Sequence, residues 1–376
     1  MSDEKDTKRK KIMYVPDEEV LAEGKALKKD NIEVSAIEET EAEVEAVSKS
    51  KKKVGFFGRT VGKIIPSKRD NKKTVIVKLV ALVAALALIV SGTYLAVYFG
   101  DLSQQEDKIK NVQNIYEPYN NDYTRNEDNQ FSKFDKLKAI NPDIIGWITI
   151  SNTEVNNPVF QTDNNQFYVD HDMDKKKNTY GALFLDYRCD IDPKALTQNQ
   201  IIYGHNMRYG AMFGSLDEYR DIEFAKKSSI VKFDSLYEQR VYKIFAIMIV
   251  NDTEDETFGY SYTAYRSEFT GDTDFLQWVD RSKQRSLYDF PVDVKAEDEV
   301  ITLSTCCYDY TNARFVILAR LVRNGEESTV DASKIVKNTD VIYSKEYYNK
   351  KKLPIPNISS STTSTTDSSN KINASK

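Results

Sequence analysis

Residues 299–322 read "EVITLSTCCYDYTNARFVILARLV", two apolar runs separated by the turn-prone "DYTN" of residues 309–312. Short runs rich in Val, Ile, Thr and Phe, bounded by such a cluster, are the pattern of a β-hairpin. Side chains in a strand alternate between its faces. Ile301, Leu303, Thr305 and Cys307 therefore share one face, and Thr302, Ser304, Cys306 and Tyr308 the other. The first set is the more apolar and is expected to face a core, which makes Cys307 a small buried hydrophobe. Cys306 then stands on the polar face. A hairpin through "DYTN" that pairs Cys306 with Arg314 keeps both on one face, since their spacing is even, with Cβ atoms about 5 Å apart.

Outward from this hairpin, "IGWITI", "VNNPVFQ", "GALFLDY", "NQIIYGH" and "RVYKIFAIMIV" have the same texture of short β-type runs between turn residues. One helix is expected between Glu268 and Leu287, where Phe275, Trp278, Val279 and Ser282 follow a 3.6-residue period. Helical spacing also recurs at Ile109, Val112, Ile115 and Tyr116, and again at Phe131, Phe134, Leu137 and Ile140. Between them, "EPYNNDYTRNEDNQ" reads as a loop. Many short strands with a few outer helices point to a closed or nearly closed barrel, which leaves no exposed edges.

The N-terminal third is different. Residues 1–50 hold 14 Asp and Glu against nine Lys and Arg, with Tyr14 as the one aromatic, and read as an acidic disordered tail. Residues 51–78 reverse the sign, with ten basic residues against Asp70 alone. Leu79 to Phe99 then runs 21 residues without a charge, roughly 30 Å of helix and enough to cross a hydrocarbon core. The run is too long and too far from the N-terminus for a cleaved secretory signal. Basic residues stay on the cytoplasmic side, so the chain is expected to be single-pass in the plasma membrane, with everything after Gly100 exported. The basic segment can also lean on anionic lipid. Its position beside the span gives it a topological reason, and no nucleic-acid partner is expected. The net charge of −5 conceals this arrangement and says little about partners.

The exported part divides into N-terminal helices over 101–140, a barrel over 141–348 and a disordered tail over 349–376. In the tail, ten of the eleven residues from Ser359 to Ser369 are Ser or Thr. Three cysteines allow at most one disulfide and leave an odd thiol to explain. Adjacent cysteines lack the spacing of a zinc site. A nucleophilic thiol needs a base or acid, and the chain has two histidines, His171 in the charged "YVDHDMDKKKN" and His205 at the end of "NQIIYGH". Physics alone does not choose between them.

The block Thr302 to Val322 resembles the signature of sortases, membrane-anchored cysteine transpeptidases of Gram-positive bacteria. Thr302, Leu303, Thr305, Cys306 and Arg314 match that family's Thr-Leu-x-Thr-Cys motif and its following arginine. "IIYGHNM" resembles the histidine segment, which implies His205 and leaves His171 out. "NPDIIGWITI", "NPVFQTDNNQFYVDHDM" and "GALFLDYR" resemble the class B branch, and the likeness covers roughly residues 103–325. It implies an eight-stranded β-barrel with N-terminal helices and a helix before the cysteine strand. It also implies a reaction: Cys306 attacks the carbonyl after a threonine in the C-terminal sorting signal of a secreted protein. The thioacyl enzyme is then resolved by an amine of the cell-wall peptidoglycan precursor.

A free thiol is only about 3% ionised at neutral pH, so the nucleophile must be activated or drawn from a minor population. His205 can exchange protons with the departing and incoming amines. Arg314 stays charged and can steady the oxyanion or hold substrate. Ser304 and Thr305, which lead into Cys306, are expected to touch substrate. The reaction needs no cofactor, and no metal site is apparent. Three other readings use the same residues or none of them: a surface cysteine protease or amidase with water as acceptor, a non-catalytic membrane-tethered adhesin or sensor, and a pilin polymerase. The last commonly carries a lid and a second span, and neither is seen here.

Overall fold

The computed structural model describes residues 65–116, 123–253 and 262–356. The acidic segment 1–50, most of the basic segment and the Ser/Thr-rich run after residue 356 lie outside the described residues. The chain divides into two compact units, residues 1–95 and 96–376.

In the first unit, helix α1 (Lys72–Tyr116) begins inside the basic segment. Asn71 caps it by accepting from the Thr74 backbone N–H at 2.8 Å, which satisfies one of the unpaired donors of the first turn. An 18-residue window of this helix has mean hydropathy 2.6 and no buried residue, so it is long and apolar enough to cross a membrane.

In the second unit the end of α1 packs against the barrel. Val112 and Tyr116 are buried, with Tyr116 stacked on Trp147 at 4.2 Å between ring centroids. Ile115, from the same expected stripe, stays exposed. The stripe at Phe131 to Ile140 forms a 3₁₀ turn, Ser132–Phe134, leading into α2 (Asp135–Ile140). Phe131, Phe134 and Leu137 are buried and Ile140 is not.

Eight strands close the barrel: β1 (Ile144–Ile150), β2 (Asn156–Phe160), β3 (Leu183–Leu185), β4 (Asn199–Tyr203), β5 (Ile230–Ser235), β6 (Gln239–Asn251), β8 (Val300–Cys306) and β9 (Ala313–Leu321). Around the barrel the order is β1-β2-β3-β4-β8-β9-β6-β5, and β5 returns to β1. The β2–β3 and β4–β8 pairs are parallel, the others antiparallel. Seven of the eight strands coincide with the runs read from sequence. β5, preceded by the short α3 (Ile222–Lys227), was not among them.

The insertion before β8 is α4 (Asp272–Arg285), which buries Phe275, Trp278, Val279 and Ser282 as its period requires. It changes the reading of the hairpin. Ile301, Leu303 and Cys307 enter one core cluster, with Phe315 and Ile317. Val300, Val316 and Leu318, on the opposite face, enter a second cluster with Trp278 and Phe275 of α4. The face expected to be polar is thus covered, and Thr302 and Ser304 are buried. Only at Cys306 does the strand reach a partly open environment.

Beyond β9 the chain runs back along the barrel. β10 (Val336–Lys337) pairs with β7 (Tyr288–Asp289) outside the closed sheet. The chain then forms α5 (Lys345–Lys351), which ends at Lys352 in the left-handed conformation. Residues 349–351, expected to begin a disordered tail, are therefore the last turn of a helix.

Candidate active site

The β8–β9 ladder sets the first pair. Cys306 lies opposite Arg314, and Thr305 opposite Phe315. The turn between them is tight. Asn312 takes a left-handed conformation (φ 61°), which its short polar side chain tolerates, and the Cys307 N–H donates to the Ala313 carbonyl at 3.1 Å. On its other side β9 pairs with β6, with Val250 opposite Arg314. Asp252, two residues further, meets the guanidinium: Arg314 Nη2 donates to Asp252 Oδ2 at 3.0 Å. Arg314 Nη1 donates to the Ala313 carbonyl at 3.1 Å. The arginine fork is thereby held from two directions.

The parallel β4–β8 ladder brings in the histidine. Tyr203, the last residue of β4, is level with Ser304, so the chain leaving β4 brings His205 to the end of β8 where Cys306 stands. Gly204 N–H donates to the Ser304 carbonyl at 3.1 Å, and Asn206 Nδ2 to the Cys306 carbonyl at 2.8 Å. Position 204 needs glycine: a Cβ there would sit 2.3 Å from Leu183 Cδ2 and 2.7 Å from Phe213 Cδ2. His205 Nε2 lies 2.7 Å from the Val169 carbonyl. A carbonyl only accepts, so Nε2 carries the hydrogen and Nδ1 is left for a reaction partner. Val169 belongs to a single 3₁₀ turn, Phe167–Val169.

Cys306, His205 and Arg314 all line one groove of about 450 Å³, together with Asp252, Ser304 and Tyr265. The Tyr265 hydroxyl and Ser304 Oγ are 3.0 Å apart. Burial pushes the Tyr265 phenol up, so it is a neutral hydrogen-bonding group at physiological pH. At the far wall, Tyr203 donates to Asp186 Oδ2 at 2.9 Å and Arg188 pairs with the same carboxylate at 2.8 Å. Burial acts to raise the Asp186 carboxyl, but hydrogen bonds from Arg188, Asn165 and Tyr203 together outweigh it and hold the group below the usual carboxylate range.

The other residues singled out by sequence fall as follows. Ser304 lines the groove but is only 2% exposed, its hydroxyl engaged by Tyr265. Thr305 also lines it, with its Oγ1 buried and without a hydrogen-bond partner. His171 is elsewhere: Nδ1 contacts the Phe167 carbonyl at 2.8 Å and the ring stacks on Phe167 at 4.2 Å. All three cysteines are free. Burial pushes the thiols of Cys189 and Cys307 up to about 12, which leaves half-buried Cys306 as the thiol open to chemistry. The sequence reading did not include Asp252, Tyr265, Asn206 or the Val169 carbonyl. Asp252 lies two residues beyond Val250, the residue opposite Arg314, a relation that only the β6–β9 pairing reveals.

The Sortase domain family matches residues 148–322. Sortase B of Staphylococcus aureus (strain NCTC 8325 / PS 47) is 30% identical over 222 residues, covering 58% of this chain and 87% of its own. Sortase B of Listeria monocytogenes serovar 1/2a is 36% identical over 188 residues, covering 50% and 72%. A crystal structure of sortase B from Bacillus anthracis in complex with AAEK1 superposes with a TM-score of 0.52 at 30% identity, covering 60% of this chain and all of that one.

Proposed function

Because this chain belongs to the class B sortases, which are cysteine transpeptidases, we propose that it cleaves a C-terminal sorting signal of secreted proteins after threonine and transfers them to a cell-wall amine. The observation that carries this reading is the convergence on one groove of Cys306 at the end of β8, Arg314 on β9 and His205 just beyond β4.

In this mechanism Cys306 Sγ, as thiolate, attacks the threonine carbonyl. His205 gives a proton to the departing amine, the C–N bond breaks, and a thioester joins Cys306 to the substrate. The guanidinium of Arg314 faces the developing oxyanion. It suits that task because it remains charged and presents a rigid fork of donors. Asp252 holds that fork in place. Ser304 and Thr305 form the floor on which the signal peptide lies. An amine then attacks the thioester carbon, the electron pair of the C–S bond returns to sulfur, and the proton from nitrogen passes to His205. The barrel over residues 141–348 is the catalytic unit. Helix α1 holds it at the plasma membrane, with the N-terminus cytoplasmic and the barrel outside.

The test is an acceptor experiment on the full chain in detergent micelles, with an Asn-Pro-x-Thr-type donor peptide. Added amine should convert the product from free acid to a new amide, and intact mass should trap the acyl group on Cys306. Free acid as the sole product at saturating amine would instead identify a hydrolase.

A further inference from the structure

A second groove, of about 410 Å³, begins at Tyr308, two residues beyond Cys306, and shares no lining residue with the first. Its walls are Asp217, Arg220, Tyr308, Asp309, Lys350 and Lys351. The two lysines come from a segment outside the family match, which ends at residue 322. That segment is tied to the barrel at several points. Asn338 N–H donates to the Leu287 carbonyl at 3.1 Å and Ile342 N–H to the Gln284 carbonyl at 3.0 Å. Asn251 Nδ2 then donates to Glu346 Oε2 at 2.8 Å, and Tyr347 meets Tyr310 of the β8–β9 turn edge-on at 6.5 Å. The first turn of α5 is in this way held against the end of β6 and the turn that follows Cys306.

The charges in the groove are unevenly satisfied. Arg220 is held by both acids, at 2.7 Å from Asp309 and 3.1 Å from Asp217, and its guanidinium lies over the Phe315 ring. Burial raises the Asp309 carboxyl, but the Arg220 bond and charge overcome this and hold it below the usual range, with Lys351 adding to the effect. Among the described residues, neither Lys350 nor Lys351 has a carboxylate within ion-pair distance. Three cations thus face two acids that are already engaged. The groove is also tied to the nucleophile, because Asn206 Nδ2 reaches both the Cys306 carbonyl (2.8 Å) and Asp217 (3.4 Å).

Resting on the transpeptidase reading above, we propose that this groove receives the acceptor, and that Lys350 and Lys351 select an amine whose peptide carries a free carboxylate. Such a peptide would place its carboxylate on the two ammonium groups and its amine toward Cys306. The exposed flank of Tyr308, 84% accessible, offers it an apolar face. The competing structural explanation is that the lysines serve only the C-terminal end of α5, where cations are favoured.

The probe is a pair of acceptors, N-acetyl-Ala-Lys-Ala with a free C-terminal carboxylate and the same peptide as its C-terminal amide, used with the full chain in micelles. The acid should be the better acceptor in transfer kcat/KM by about fivefold, the scale of a pair of exposed ion pairs. The preference should collapse at high salt and in the double variant Lys350→Gln, Lys351→Gln. Equal use of both peptides by the natural chain, or a preference that survives the double variant, would overturn the assignment. Titration calorimetry of the same pair against Cys306→Ala reads the groove without any chemistry. Tighter binding of the acid, lost in the double variant, is expected there, and indifference to the carboxylate refutes it. Failure of donor cleavage itself would bear on the transpeptidase reading alone, since the calorimetric comparison still decides the groove.

Discussion

At the scale of the residue, the adjacent cysteines are separated by a single strand alternation. Cys307 points into the core at 5% exposure while Cys306 meets the groove. This was legible in the sequence, because the even spacing to Arg314 and the apolar set at Ile301 and Leu303 both select Cys306. Cys306→Ala should abolish cleavage and the acyl-enzyme mass, whereas Cys307→Ala should keep both and lose about 1 kcal/mol of stability. Iodoacetamide at pH 8 should label Cys306 in the native protein and spare Cys189 and Cys307, whose thiols burial has pushed up to about 12. First labelling at Cys307 would place the strand one residue out of register. Asp252 was not legible, because "NDTEDE" offers several acids and only the fold chooses among them. Asp252→Ala should lower kcat about tenfold by releasing the Arg314 fork, with KM little changed. Asp252→Asn, which keeps an acceptor, should recover part of the loss. A wild-type kcat in Asp252→Ala would remove it from the mechanism.

At the scale of the element, local signals decided what was readable. The β8–β9 hairpin is contiguous, and α4 announces itself by four buried positions at helical spacing. β5 is a strand because β1 and β6 flank it, with Phe233 opposite Ile148 on one side and Arg240 on the other. In "IVKFDS" the exposed Lys232 and the short length give no local sign of that. The covering of the outer face of β8 is likewise a tertiary fact, since the helix that covers it lies earlier in the chain. The same face holds a deeply buried cation. Arg320, 1% exposed, is paired with Glu326, which also receives Lys243 Nζ at 2.7 Å. The Arg320 hydrogen bond holds the Glu326 carboxyl well below the usual range, against a smaller opposing effect of burial. A depressed carboxyl contributes fully above its unfolded value, about 4.3, and its contribution is lost as pH falls through the folded value. Glu326→Gln should therefore cost roughly 2 kcal/mol at pH 7, and the difference from wild type should shrink steadily below about pH 4. Urea midpoints measured from pH 7 to pH 3 give the comparison. A gap that stays constant across that range would mean that Glu326 is not ionised in the pair.

At the scale of the whole molecule, the barrel followed from strand texture and family resemblance, but the docked segment after β9 did not. Its contacts with Leu287, Gln284 and Asn251 are single hydrogen bonds to distant parts of the chain, and its composition grades into the Ser/Thr-rich run. What the sequence does state clearly is a reversal of charge around one apolar stretch. Ten basic residues precede Leu79, while Asp101, Glu106 and Asp107 follow Phe99. Lys and Arg each cost about 3 kcal/mol at the centre of a membrane helix, and a dense basic flank resists translocation far more than an acidic one. The reaction proposed for the groove at Cys306 uses a secreted substrate and a cell-wall amine, both found outside the membrane, so that proposal and the charge argument favour the same orientation. Protease added to intact protoplasts should digest the barrel and spare an epitope placed near residue 10. Loss of that epitope with survival of the barrel would reverse the topology and put Cys306 in a compartment that holds neither proposed substrate.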